Sequence, residues 1–208
     1  MISWTIPSRW KRVVVDIDTQ KCFFSGKGKS QACNNRTVLA NIRRVMAWTR
    51  SKQIYVVSTK QVPVYYSNFR GGSTNNLSKI TYTLCNRRIQ LDATDCTDLP
   101  IGILKRYDQV ILCKRCVDPF EEPRVDRMLT ELEVEEFILI GTLVESAVKA
   151  TALGLLARRK NVKVLIDATS FVNKAAANIA LKQIKAKGAK LIETQELFDT
   201  PTPHSVRK

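Results

Sequence analysis

Histidine is almost absent from this chain: the only one is His204, in a polar stretch near the C-terminus. A multi-histidine metal site is therefore excluded, and a Ser-His-Asp or Cys-His catalytic pair within one chain is disfavoured. No apolar run reaches about 18 residues, so no transmembrane helix is expected. The opening stretch "MISWTIPSRWKR" lacks the apolar core of a signal peptide, which makes a cytoplasmic location the expectation. A second C-x-x-C is missing too. The six cysteines include one such pair, Cys113 and Cys116, while Cys85 and Cys96 are poorly spaced to complete a zinc site. Without a secretory signal, an even cysteine count does not imply disulfides. Internal repeats and low-complexity linkers are also lacking. The 208 residues read as one domain, with a core over about 12–195, an irregular excursion over 60–105 and a tail over 196–208.

What the chain has in excess is positive charge. Its 34 Lys and Arg against 19 Asp and Glu leave a net charge of +15. Residues 1–60 hold 12 basic and 2 acidic side chains, 61–148 hold 10 and 13, and 149–208 hold 12 and 4. Such a surface attracts polyanions, though no nucleic-acid-binding motif accompanies it. Solubility alone also accounts for a basic surface.

Apolar strands alternate with amphipathic helices. "RVVVDID" (12–18), "QIYVVST" (53–59), "QVILC" (109–113), "EFILIG" (136–141), "VKVLIDA" (162–168) and "KLIET" (190–194) read as strands. Helices are predicted over 34–52, capped by Asn34 or Asn35, and over 121–134, 145–160 and 173–188. Residues 60–105, with Gly71-Gly72, suggest a β-hairpin or a passage over the sheet. The pattern implies a three-layer α/β/α, Rossmann-like fold with a central, mainly parallel sheet of about six strands. Ligands in such sheets bind at the carboxyl ends of the strands, where strand order reverses. Asp16 and Asp18 follow the first strand, Lys114 follows "QVILC", and a tight turn follows "EFILIG".

On three motifs the chain resembles the isochorismatase-like cysteine hydrolases. "DTQKCF" (18–23) is similar to the family's D-x-Q-x-x-F, "ILCKR" (111–115) to its strand-end lysine, and "GTLVESAVKATAL" (141–153) to its G-x-x-T-x-x-C-V-x-x-T-A. The resemblance implies that Asp18 is the acid/base and that Lys114 lowers the thiol pKa and orients Asp18. It also implies a nucleophilic thiolate at a helix N-terminus, an oxyanion site made by the turn's N–H groups, and a cis peptide at Thr142–Leu143. It places Ala147 where the family has its cysteine and Val144 where it has threonine. Ser146 is no substitute, since one helical residue turns the side chain by about 100°. Natural loss of the nucleophile, a deliberate Cys-to-Ala change, and relocation to Cys116 are the available explanations. Cys116 enters because, in an extended segment, it would point the same way as Lys114.

The expected small-molecule pocket comprises Asp18, Lys114 and Ala147 with Gln20, Phe23, Thr142, Leu143, Val144, Glu145 and Ser146. No cofactor and no metal are expected. The nicotinamidase branch carries an Asp-x-His…His metal site, and the corresponding stretch "STKQVPVYYSNF" (58–69) has no Asp and no His. The expected partners are a small-molecule ligand and a second copy of the chain, as the resemblance implies, with a polyanion contact possible through the basic surface. Two functions remain: a catalytically degenerate binding or scaffold protein, and a hydrolase of a small amide or vinyl ether whose cysteine has been replaced or whose Asp18 activates water.

Overall fold

A run of β-branched residues with nothing polar to place in water must be covered on both faces. The first strand, β1 (Arg12–Ile17), holds such a run in Val13, Val14 and Val15, and Val13 through Ile17 are all buried, Asp16 included. In the computed structural model, which describes residues 11–25, 35–62 and 77–199, β1 lies at the centre of a seven-stranded sheet. Its neighbours are β2 (Tyr55–Gln61) and β5 (Glu136–Gly141), both parallel to it. Beyond β2 come β4 (Gln109–Lys114) and the edge strand β3 (Arg88–Leu91); beyond β5 come β6 (Val162–Thr169) and β7 (Lys190–Ile192). Every pairing is parallel, in the order β3-β4-β2-β1-β5-β6-β7. Strand order therefore reverses beside β1, and the carboxyl ends of β1 and β5 are where sheets of this kind bind ligands.

Alternation along β1 divides the core. Val13, Val15 and Ile17 join one apolar cluster, which helices α3 (Ile103–Arg106), α4 (Pro123–Glu131) and α5 (Lys149–Ala157) cover with Ile103, Leu129 and Leu155. Ile184 of α6 (Lys174–Ala186) belongs to the same cluster. Val14 faces the other way, into a cluster closed by Ile42 and Met46 of α2 (Asn35–Ser51) and by Leu197 of α7 (Thr194–Asp199). A short helix, α1 (Lys21–Ser25), follows β1 directly. The architecture is thus three-layered with a parallel sheet, as the periodicity implied.

Three expectations are corrected. Among the described residues of the 60–105 stretch there is no hairpin: β2 runs on to Gln61, and β3 joins the sheet parallel to β4 as its seventh strand. Hairpins need antiparallel neighbours, and β3 reaches β4 through α3 instead. The tail expected from 196 overlaps α7, which docks through buried Leu197. The helix expected over 145–160 begins as a π-helical turn, Val144–Val148, before α5 continues it. Asn34, Gly71-Gly72, residues 63–69 and His204 lie outside the described residues.

Close packing over α5 leads to one prediction. A Cβ at Gly154 would stand 2.1 Å from the Phe120 ring, which itself lies beneath the Arg158 guanidinium at 3.9 Å. Gly154→Ala is expected to lose about 1–3 kcal/mol through overpacking, despite alanine's better helix propensity. A urea titration would read this as a lowered midpoint, and a raised one would mean the ring yields freely.

Candidate functional site

Asp18 follows the last residue of β1 and has a positive φ of 46°. Strand alternation would send its side chain to the face that holds Asp16; the left-handed backbone, which Asp tolerates better than most residues, redirects it. Its carboxylate is 2.8 Å from Lys114 Nζ and accepts the Thr59 hydroxyl at 2.7 Å. Asp18 is 3% exposed and Lys114 is fully buried, so water does not screen this pair. Lys114 also donates to Gln61 Oε1 at 2.6 Å and to the carbonyls of Cys116 at 2.9 Å and Val117 at 3.3 Å. Its three N–H groups are fully occupied.

The turn after β5 is fastened to the same place. The Thr142 hydroxyl donates to the Asp18 carbonyl at 2.8 Å, and Thr142 N donates to the Ile17 carbonyl at 2.8 Å. The Thr142–Leu143 peptide is cis, as the resemblance implied. Ser170 N donates to the Gly141 carbonyl at 3.0 Å and the Ser170 carbonyl accepts from Val144 N at 2.8 Å, so the end of β6 clamps the turn from the other side. Ala147 follows in the π-turn, 4% exposed, and packs into the same apolar cluster as Val148 and Ile17. Val144 packs against Ala177 and Ala180 of α6.

The other expected pocket residues have structural partners. Gln20 is fully buried; its amide donates to the carbonyls of Gln61 at 3.0 Å and Leu77 at 2.8 Å, and its Oε1 accepts from Gln61 N at 2.8 Å. Glu145 accepts from Val172 N at 2.7 Å and Asn173 N at 2.9 Å, which ties the π-turn to the segment before α6. Leu143 accepts through its carbonyl from Ser146 N at 3.0 Å and Val148 N at 3.1 Å. Phe23 is half-buried on α1. Among the described residues, the cavities of about 470, 520 and 480 Å³ are lined by other side chains than Asp18, Lys114 and Ala147.

Relocation to Cys116 loses its geometric basis. The argument assumed that β4 continues past Lys114, but the strand ends there, and it is the Cys116 carbonyl that meets the ammonium group. The thiol instead meets Glu121, which pushes its pKa up, the opposite of what a nucleophile needs. Cys22 on α1 is likewise pushed up, chiefly by burial, with Asp18 adding to it. Among the described residues, no three His, Cys, Asp or Glu side chains gather as a metal site.

Three residues in this neighbourhood escaped sequence reasoning. Thr59 and Gln61 close β2, and the polar end of "VVSTKQ" was their signal: it belongs to the same row of strand ends as Asp18 and Lys114. Lys79 had no signal. It forms a second buried ion pair, 2.8 Å from Asp16 Oδ2, and donates to the Thr59 carbonyl at 3.0 Å. The two carboxylates at the end of β1, Asp16 within it and Asp18 just after, are therefore not redundant, since each holds its own lysine. Asp16 also accepts from Ser58 at 3.0 Å, Ser58 accepts from Gln109 Nε2 at 2.7 Å, and Gln109 binds the Thr83 carbonyl at 2.9 Å and Cys85 N at 2.7 Å. This seam fastens the 77–87 segment onto the sheet.

The model of the isochorismatase domain matches residues 12–196. The chain belongs to the isochorismatase family. Its solved relatives share the fold at low identity. A pyrazinamidase of Pyrococcus horikoshii in complex with zinc is 21% identical, with a TM-score of 0.66 over 88% of this chain and 99% of that one. An isochorismatase-like hydrolase from Alkaliphilus metalliredigens is 17% identical, with a TM-score of 0.68 over 93% and 97%. The MAR1 ribonuclease from Caenorhabditis elegans is 21% identical, with a TM-score of 0.60 over 90% and 79%. No curated protein matches the chain. In this isochorismatase-family chain the strand-end aspartate and lysine are joined in an ion pair. Among the described residues, no helix is long and apolar enough to cross a membrane.

Proposed function

We propose that this isochorismatase-family protein has kept the Asp18–Lys114 pair and lost the thiol chemistry, and that it works as a small-molecule-binding or scaffold protein. The observation that carries this is Ala147: a methyl group, packed into the apolar core, stands where the family resemblance puts the nucleophile. Around it the polar frame is intact, with Asp18 held by Lys114 and Thr59 and by its left-handed backbone. Water activation by Asp18 is the weaker alternative. Both carboxylate oxygens are engaged and the residue is 3% exposed, so a general base would have little water to reach. The reading includes a homo-oligomer, in which a neighbouring copy helps to wall the ligand site, and a cytoplasmic location.

The wild-type chain is expected to turn over neither small amides nor vinyl ethers, and turnover that disappears in Asp18→Asn would overturn the reading. A second test asks whether position 147 is the only missing part. Ala147→Cys would put a thiol in the first turn of a helix, beside the turn that Thr142 ties to Asp18. Its alkylation is expected to reach half-maximal rate below the ordinary thiol value of about 8.5. The unmodified protein controls for the native cysteines. A value at or above the ordinary one would mean that core packing around position 147 has closed the site further than one residue can restore.

A further inference from the structure

Between Asp18 and Asp92 the sequence contains no acidic residue at all, while residues 19–91 carry 13 Lys and Arg. Folding gathers part of this span on one side of the sheet. A cavity of about 480 Å³ is lined by Lys60, Arg88, Asn86 and Gln90, and one of about 470 Å³ by Arg50, Arg87 and again Asn86. Asn86 lines both recesses, so they adjoin on the β2-β4-β3 side as a groove of two parts. β3 is the edge strand, and Arg88 and Gln90 are its exposed face.

Most of the guanidinium groups here are held without a carboxylate. Several arginines elsewhere face carboxylates, as Arg12 meets Glu136, Arg115 meets Glu122, Arg127 meets Glu131 and Arg158 meets Asp126, whereas Arg124 is anchored on the carbonyls of Asp92 and Asp98. In the groove, Lys60, Arg50 and Arg88 form no ion pair among the described residues. The guanidinium groups are anchored by backbone carbonyls instead: Arg88 on Cys85 at 2.8 Å, Arg50 on Tyr82 at 3.2 Å, and Arg87 on Arg106 at 2.7 Å. Carbonyl anchoring fixes the planar donor fork without neutralising it, and the fork's remaining N–H groups suit phosphate oxygens. Of these guanidinium groups only Arg87 has a carboxylate within ion-pair reach, Asp108 at 3.8 Å, and that pair is exposed; Lys79, which also lines the recess, is paired with Asp16.

We infer that this groove binds the phosphodiester backbone of single-stranded nucleic acid. The cations are strung along the groove rather than converging on one point, which suits a chain of phosphates better than a single anion. By strand geometry, Arg88 and Lys60 are separated by roughly 13 Å along the strands and 10 Å across them. A recess of this size admits one strand, whereas a duplex would meet only its rim.

The test uses the full chain and a fluorescein-labelled oligouridylate of about twelve nucleotides, read by anisotropy between about 50 and 200 mM salt. Wild type is expected to bind with a Kd that rises steeply with salt. Lys60→Gln/Arg88→Gln should weaken binding at least about ten-fold and flatten the log–log salt slope by about 1.4, which is two phosphate contacts at about 0.7 each. A charge-matched control, Lys182→Gln/Lys185→Gln on the exposed face of α6, should change Kd less than about two-fold. Photocrosslinking of a 4-thiouridine oligonucleotide to wild type, mapped by mass spectrometry, should label residues within 77–91 and does not depend on how the variants fold. Equal losses in the two double variants, crosslinks confined to other segments, equal affinity for a duplex, or displacement by polyglutamate at matched charge would each overturn the assignment.

Discussion

Lys114→Ala should destabilise the protein by about 3–5 kcal/mol, because it leaves the Asp18 carboxylate buried and without its cation. The residue is fully buried and donates to a carboxylate, an amide oxygen and two carbonyls, so its removal also orphans acceptors on three segments. Thermal and urea unfolding would both report the loss. Asp18→Asn/Lys114→Met, which removes both charges and preserves much of the volume, is expected to recover part of it. That recovery separates the cost of an unpaired charge from the cost of lost packing. A single variant within about 1 kcal/mol of wild type would mean that the pair is far better hydrated than its burial implies.

The second large effect is expected at Gly141. This residue pairs with Ile17 across β1 and β5, and its φ is +120°. A Cβ built there would stand 2.0 Å from the Ile17 carbonyl oxygen and 2.8 Å from its carbonyl carbon. Neither strand can retreat, since both lie in the middle of the sheet and the same carbonyl accepts from Thr142 N. Gly141→Ala is expected to cost about 3 kcal/mol or more, from backbone strain and overpacking together. Gly188 provides the comparison. Its φ is +107°, but a Cβ there would meet nothing within 4 Å. Gly188→Ala should therefore show the strain alone, about 1–2 kcal/mol. Similar losses at the two positions would remove the case for a steric clash at the β1–β5 junction.

The sequence makes an element legible where one physical signal dominates. β1, β4 and β5 are apolar runs buried on both faces, and their limits fall within a residue of expectation. β3 is only "RIQL", with Arg88 and Gln90 exposed, so it lacks the continuous apolar signature that marks the central strands. The last helix, α7, is hidden in "TQELFD", where Leu197 is the only fully buried apolar residue. At the site, Asp18 and Lys114 stand out because each is a charge at the carboxyl end of an apolar run. Lys79 does not, because a lysine bound for the interior looks the same in sequence as the many that remain outside. Cys116 misled because side-chain alternation holds only while the strand lasts.

The polar seam from Lys79 through Asp16 and Ser58 to Gln109 also sets the order in which the native state can open. The Cys85 amide is held by a side chain of β4, and Lys79 by a carboxylate of β1. The 77–87 segment therefore cannot lift away by itself without stranding buried charge and amide groups inside the sheet. Its backbone should exchange hydrogen for deuterium at the slow pace of the central strands, although it has almost no regular structure of its own. A stretch that looks like a loop on paper would then belong to the most cooperative unit of the protein.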